Sequence, residues 1–203
     1  MGGYVVDTTR DLGIGQCRPQ RLTGVAMSES SLSSSTSSSF IVSPAVADGY
    51  LSGELDATQA ILSSARARAP VSRPGYAGNV TPQEAAALLS THAAVLIDVR
   101  TAEERQFVGR IADSLHVPWL TGLNLQRNPR FVREVEAKVR RDDVILLLCR
   151  SGGRSAAAAA ALTEARFRNA FNVLEGFEGE LDGSQQRGSR DGWRYHRLPW
   201  IQD

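Results

Sequence analysis

The residues of this sequence best suited to chemistry are a cysteine and the glycine- and arginine-rich segment that follows it. The apolar run VILLL at 144–148 leads into CRSGGRS at 149–155, and an alanine-rich run comes next. Two adjacent glycines allow backbone conformations that point successive N–H groups at one centre, and two arginines add permanent positive charge. We predict the nucleophile Cys149 and the binding residues Arg150, Ser151, Gly152, Gly153, Arg154 and Ser155. Together these groups favour a thiolate over a thiol and suit a small oxyanion.

The residues around this cysteine limit the classes of reaction that it can perform. A cysteine at the end of a buried strand is often inert, but here a strand, a glycine pair, two arginines and an immediate helix coincide. Acyl transfer normally needs a histidine base, and His92, His116 and His196 all lie outside the loop. We interpret His116 as a strand residue.

The spacing between cysteine and arginine separates sulfur chemistry from phosphoryl chemistry. Cysteine phosphatases space the two residues more widely, to surround the phosphate oxygens, and would need the arginine where this chain has Ser155. Here Arg154 follows after four residues, and the smaller ring suits a sulfur atom carried on the cysteine. A phosphatase or arsenate reductase of related fold stays open as an alternative.

The elements that must position this loop form a regular alternation of strands and helices. Capping-box patterns begin helices at Thr81 and Thr101, and a third helix is expected from Asn128-Pro129. The predicted strands are 94–99, 115–117, 144–148 and 171–174. We expect an α/β fold with an open parallel sheet of about five strands and helices on both faces. Such sheets bind ligands at the carboxyl ends of their strands, where the cysteine lies.

The composition excludes several classes of function. The net charge of +1, from 23 basic and 22 acidic residues, lacks the basic excess that nucleic-acid binding needs. No apolar run is long enough to span a membrane. Two cysteines, Cys17 and Cys149, do not make a disulfide framework, so we expect a reducing, cytoplasmic environment. We expect neither a metal nor another cofactor.

The N-terminal third is predicted to lie outside the folded domain. Residues 28–39 contain nine serines in twelve positions, too little apolar surface to offset the entropy of ordering them. We expect 1–75 to be a largely disordered extension with a short helix at 46–68, and 76–203 to be the domain. Organelle targeting by this serine-rich head is an alternative to a plain tail. Deleting residues 1–70 should then leave activity near its full value.

Four segments together resemble the rhodanese family. They are VLIDVRTAEE at 95–104, CRSGGRS at 149–155, NVLEGFEG at 172–179 and the closing Gly192-Trp193. The resemblance runs from about Tyr76 to Trp200 and implies a two-step sulfur transfer. In the first step the Cys149 thiolate takes a sulfane sulfur from thiosulfate or a related donor. In the second, cyanide, a small thiol or a sulfur-carrier protein removes the sulfur from the resulting persulfide.

The Asp-Val-Arg signature matches the family, and we interpret its two charged residues as mainly structural. The sequence also departs from the family pattern in the segment that follows. Asp98 and Arg100 of this signature are expected to brace the site rather than to contact the substrate. After the signature, GRIADSLHVPW at 109–119 carries Arg110 where the family commonly has histidine, and it lacks the family's Pro-Gly turn. The alternative function is a non-catalytic rhodanese-like module that binds a partner, against which the presence of Cys149 argues.

Overall fold

The computed structural model of the protein describes residues 44–71, 75–122 and 124–202. The serine-rich segment 28–39 and Cys17 lie outside the described residues. The helices are α1 Pro44–Ala67, α2 Pro82–Ser90, α3 Ala102–Val108, α4 Phe131–Glu136 and α5 Gly153–Glu164. The strands are β1 Gly78–Val80, β2 Val95–Asp98, β3 Leu115–His116, β4 Leu120–Thr121, β5 Gln126–Arg127, β6 Ile145–Leu148 and β7 Ala170–Val173.

Five of the strands form a parallel sheet in the order β1-β7-β6-β2-β3. The central strand β6 is ILLL and is buried along its whole length, as expected for a strand covered on both faces. Its alternate side chains enter two separate clusters: Ile145 and Leu147 face one side, Leu146 and Leu148 the other. Residues of α4 and α5 cover the first side, and residues of α1 and α2 cover the second. The predicted open parallel α/β sheet is confirmed.

Both predicted capping boxes are present, and each fixes the start of a helix. At α2 the N–H of Glu84 donates to the Thr81 hydroxyl at 3.2 Å, while the N–H of Thr81 donates to the Glu84 carboxylate at 2.8 Å. Thr101 and Glu104 repeat the arrangement at α3. The predicted third helix, α4, ends at Glu136, before the last residue of its apolar pattern. That residue, Val139, lies in the following turn, where its side chain is still buried.

Helix α1 packs directly on the edge of the sheet. Its side chains Leu62 and Ala65 are 4% and 0% exposed and belong to the same core cluster as Phe171 of β7. A Cβ atom on Gly78 of β1 would lie 2.1 Å from the carbonyl oxygen of Ala65, so helix and strand are in backbone contact. Removing residues 1–70 would uncover this part of the core, so the packing argues against the prediction that they are dispensable.

Strands β4 and β5 form an antiparallel hairpin that is separate from the main sheet. It follows β3 at the place where the sequence lacks the expected Pro-Gly turn. Trp119, just before the hairpin, packs edge-on against Phe131 of α4 with ring centroids 5.0 Å apart. Within the described parts of the chain, no helix is both long and apolar enough to cross a membrane.

Candidate active site

Cys149 lies at the carboxyl end of the central strand, where the chain turns sharply into α5. Gly152 makes this turn with a φ of 98°, in the left-handed region that glycine adopts at little cost. The turn points the Gly152 N–H at the Cys149 sulfur, with a nitrogen-to-Sγ distance of 3.1 Å. Since α5 begins at Gly153, the positive end of the helix dipole faces the same sulfur. Both groups stabilise negative charge there.

The sulfur lies at the base of a cleft of about 480 Å³. Cys149 is only 1% exposed, so a reactant reaches it through this opening rather than across the surface. The lining residues are Thr101, Glu104, Leu120, Leu125, Cys149, Arg150, Ser151, Gly153 and Arg154. One wall is therefore the predicted loop, another is the start of α3, and a third is the β4–β5 hairpin, whose part the sequence pattern did not reveal.

Arg154 is held in a two-pronged ion pair with Glu104. Its Nη1 and Nη2 atoms donate to the two carboxylate oxygens at 2.7 and 2.6 Å. Burial alone would raise the pKa of Glu104, but the hydrogen bonds from Arg154 and from the Thr101 N–H hold it below its usual value. The same hydrogen bond raises the pKa of Arg154. The pair fastens the loop 149–155 to the first turn of α3, fifty residues earlier in the chain.

Arg150 occupies a different position from Arg154. It lines the cleft and is exposed. In the described part of the chain, no hydrogen bond or ion pair engages its guanidinium group. The two arginines that the sequence treats alike therefore differ: one has its charge matched by a carboxylate, and the other presents its charge to the cleft.

Asp98 and Arg100 form a buried brace behind the site. Both side chains are 0% exposed, and the Arg100 Nη2 atom donates to Asp98 at 2.7 Å and to the Gly109 carbonyl at 2.8 Å. Arg105 of α3 adds a second ion pair to the same carboxylate, at 3.1 Å. The Arg100 guanidinium carbon lies 4.1 Å from the centroid of the Phe177 ring. Neither Asp98 nor Arg100 lines the cleft.

Ser155 and two asparagines form a polar chain behind Cys149. The Ser155 hydroxyl oxygen lies 3.2 Å from Cys149 Sγ and 2.7 Å from Asn172 Oδ1. Asn172 of β7 in turn donates to Asn79 of β1 at 2.9 Å. Ser155 and Asn172 are 0% and 4% exposed. The sequence identified Ser155 but neither asparagine, although a polar residue in an otherwise apolar strand such as AFNV is a usable signal.

The described histidines His116 and His196 each have a partner other than Cys149. His116 donates from Nε2 to the Arg100 carbonyl at 2.9 Å and lines a neighbouring cleft of about 530 Å³. His196 pairs with Glu175 at 2.7 Å. Among the described residues, no group of histidine, cysteine, aspartate and glutamate side chains is arranged to hold a metal ion.

Comparison with known proteins identifies relatives that share this fold. A model of the rhodanese-like domain matches residues 81–180. The uncharacterized protein RC0915 of Rickettsia conorii is 37% identical over 116 residues, which are 56% of this chain and 87% of that protein. The crystal structure of Rv0390 from M. tuberculosis is 41% identical, with a TM-score of 0.58 over 63% of this chain and 99% of that one.

The chain belongs to the family of rhodanese-like domains. Its fold relates it to the sulfurtransferases of that family. The matched segment includes the loop 149–155, the Asp98–Arg100 brace and Asn172. Helix α1 and the closing segment from Gly192 lie outside it.

Proposed function

We propose that the protein is a thiosulfate-type sulfurtransferase that carries the transferred sulfur as a persulfide on Cys149. The observation that carries this proposal is the environment of the sulfur. A backbone N–H at 3.1 Å and the start of a twelve-residue helix face an otherwise buried Sγ atom at the base of an open cleft. This is a setting for a sulfur that bears negative charge and reacts with a small molecule.

The proposed reaction balances without any further oxidant or reductant. The Cys149 thiolate attacks the outer sulfur of thiosulfate, the sulfur–sulfur bond of the donor breaks, and sulfite leaves with the bonding electron pair. The persulfide then holds the transferred sulfur at the cleft. A cyanide ion or an acceptor thiolate attacks the outer sulfur of this persulfide, and the Cys149 thiolate leaves. A sulfur-carrier protein that presents a thiol would react in the same way.

The charges of the cleft suit an anionic donor. We expect the exposed Arg150 to bind the sulfonate oxygens of thiosulfate through charge-assisted hydrogen bonds. Arg154 also lines the cleft, and its two hydrogen bonds to Glu104 favour a bracing role over the substrate contact that the sequence predicts. A thiol acceptor agrees with a reducing compartment, and we place the protein in the cytoplasm.

Mass spectrometry of the intact protein tests the proposal directly. After incubation with thiosulfate and removal of the excess, we expect the mass to increase by one sulfur atom, and cyanide should remove this sulfur as thiocyanate. Cys149→Ser should abolish both the mass gain and turnover while leaving the fold intact, because serine is nearly isosteric but cannot carry the persulfide. A Cys17→Ser variant is the matched control and should still load.

The outcome against the proposal is equally clear. If Cys149→Ser keeps more than a few per cent of turnover, or if the folded wild-type protein gains no sulfur, the assignment fails. Replacing thiosulfate by a mercaptopyruvate-type donor in a parallel experiment compares the two donor classes. We expect thiosulfate to be preferred, because it brings the larger anionic charge to Arg150.

A further inference from the structure

The polar chain of Asn79, Asn172 and Ser155 has a fixed direction. Asn79 Nδ2 lies 2.6 Å from the backbone carbonyl of Arg68. A carbonyl can only accept, so this atom is the amide nitrogen and the opposite side of Asn79 presents its oxygen. That oxygen is 2.9 Å from the side-chain nitrogen of Asn172. The orientation of the first amide therefore determines that of the second.

The fixed orientation of Asn172 decides where the proton of Ser155 goes. Asn172 turns its Oδ1 atom toward Ser155, and an amide oxygen can only accept. The Ser155 hydroxyl has one proton and three neighbours: Asn172 Oδ1 at 2.7 Å, the Gly152 carbonyl at 3.0 Å and Cys149 Sγ at 3.2 Å. The contact with Asn172 is the shortest of the three, and a neutral thiol sulfur is a weak acceptor. While Cys149 is a thiol, the proton is therefore directed to Asn172.

We propose that Asn172, oriented by Asn79, is a positioning residue that competes with Cys149 Sγ for the Ser155 proton. While Cys149 is a thiol, Ser155 turns a lone pair toward Sγ, and the Gly152 N–H is the hydrogen-bond donor to the sulfur within the described residues. A thiolate must draw the proton away from Asn172 Oδ1, which weakens the stabilisation that Ser155 can give it. The inference rests on the proposed function in taking Cys149 as the reacting group.

Removing the acceptor oxygen of Asn172 should therefore stabilise the Cys149 thiolate. If Asn172 loses its acceptor oxygen, the nearest competitor for the Ser155 proton is the Gly152 carbonyl, at the longer distance of 3.0 Å. Charge-assisted hydrogen bonds are the stronger kind, so the thiolate then meets less competition for the bond from Ser155. The full gain of one hydrogen bond of this type raises the ratio of thiolate to thiol by about tenfold. Because a more stabilised thiolate is less nucleophilic, its alkylation below the titration midpoint should rise by roughly threefold.

Asn172→Leu in the full chain is the first test, since leucine has a similar volume and no polar atom. Asn79→Val is the second, at a half-buried position on an edge strand, in case the first variant does not fold. For each, we would titrate the ultraviolet absorbance of the Cys149 thiolate and measure alkylation by iodoacetamide on the peptide that carries Cys149. The titration should move to lower pH in both variants. The charged groups facing the cleft, Arg150, Arg154 and Glu104, are the same throughout, as is Asp98 behind them.

The deciding control is the Ser155→Ala background. If the asparagines act through the Ser155 proton, adding Asn172→Leu or Asn79→Val to Ser155→Ala should have no further effect on the titration. An equal shift in that background would show a merely structural role and overturn the inference. So would an unchanged or higher midpoint in the single variants. None of these measurements uses a sulfur donor. The inference can therefore fail while the proposed sulfur transfer holds, and the proposed sulfur transfer can fail while the inference holds.

Discussion

At the scale of single residues, the two arginines of the loop 149–155 lie in different environments. Arg150 is exposed at the cleft, whereas Arg154 is bound to Glu104 through two hydrogen bonds. The sequence treats them as equivalent because both flank the glycine pair. The carboxylate that distinguishes them lies fifty residues away, and no local pattern connects the two positions. The loop could thus be predicted from sequence, but the different surroundings of Arg150 and Arg154 could not.

The first prediction concerns donor charge. Arg150→Ala should lower kcat/KM for thiosulfate by roughly ten- to hundredfold, the value of one charge-assisted contact to its oxygens. It should have little effect with a persulfidated small thiol, which lacks sulfonate oxygens. Arg154→Ala should impair both donors alike, because it loosens the loop. Steady-state kinetics with the two donors would show this, and a thiosulfate-specific defect in Arg154→Ala would contradict the assignment.

The second prediction concerns how the stability of the protein depends on pH. Because Glu104 has a lowered pKa in the folded protein, its ion pair contributes stability in full above the ordinary carboxyl pKa of about 4.3. The contribution is lost as the pH falls through the lower folded value. Glu104→Gln should cost about 1–3 kcal/mol near neutral pH, and the difference from wild type should shrink toward zero in acid. Urea unfolding at several pH values measures it.

The matched control for Glu104 is another glutamate in an ion pair. Glu136 pairs with Arg141 at 2.5 Å, but the two side chains are 37% and 53% exposed. A pair this accessible to solvent contributes little, so Glu136→Gln should change the unfolding free energy by less than about 1 kcal/mol. Equal losses for the two glutamates would mean that the Glu104 pair does not fasten the loop.

At the scale of elements, strong local signals predicted the fold and weak ones did not. The capping boxes at Thr81 and Thr101 and the apolar run before Cys149 each identify an element from neighbouring residues. Strand β1 has only three residues, GNV, and its pairing with β7 is a tertiary contact that no short window reveals. Helix α1 was expected, but its packing on β1 was not, because a weak apolar pattern does not indicate what it packs against.

The third prediction tests the packing of α1. Leu62 is 4% exposed and Leu55, on the same helix, is 64% exposed. Leu62→Ala should lower the free energy of unfolding by about 2–5 kcal/mol, through lost burial and the cavity left behind. Leu55→Ala, the same chemical change at a solvated position, should alter it by less than about 0.5 kcal/mol. Denaturant unfolding of the two variants decides the point, and equal effects would mean that α1 is not part of the folded core.

At the scale of the whole molecule, the end of the chain closes the structure over the signature residues. Arg100 donates to the Gly109 carbonyl, and a Cβ atom at Gly109 would lie 2.6 Å from the Trp200 ring. Trp200 also packs edge-on against Phe177, with ring centroids 6.0 Å apart. The buried brace of the Asp-Val-Arg signature and the closing segment thus share one packing cluster, although Arg100 and Trp200 are one hundred residues apart in sequence.

The fourth prediction follows from this closure. Trp200→Ala should lower the unfolding free energy by about 2 kcal/mol or more, since a large aromatic contact is lost. Tyr195→Ala, at a side chain that is 46% exposed, should cost less. Thermal unfolding followed by circular dichroism compares the two. Equal effects would show that Trp200 lies on the surface without closing the fold.

The hydrogen bond from Gly152 to the Cys149 sulfur also makes the backbone a reporter of the chemistry. An amide proton resonance responds to the charge and identity of the atom that it binds, and here that atom is Sγ at 3.1 Å from the nitrogen. Thiol, thiolate and persulfide should each give the Gly152 amide a distinct resonance. Nuclear magnetic resonance could then follow loading and unloading of the sulfur in solution, without a label on the substrate or a change to the site.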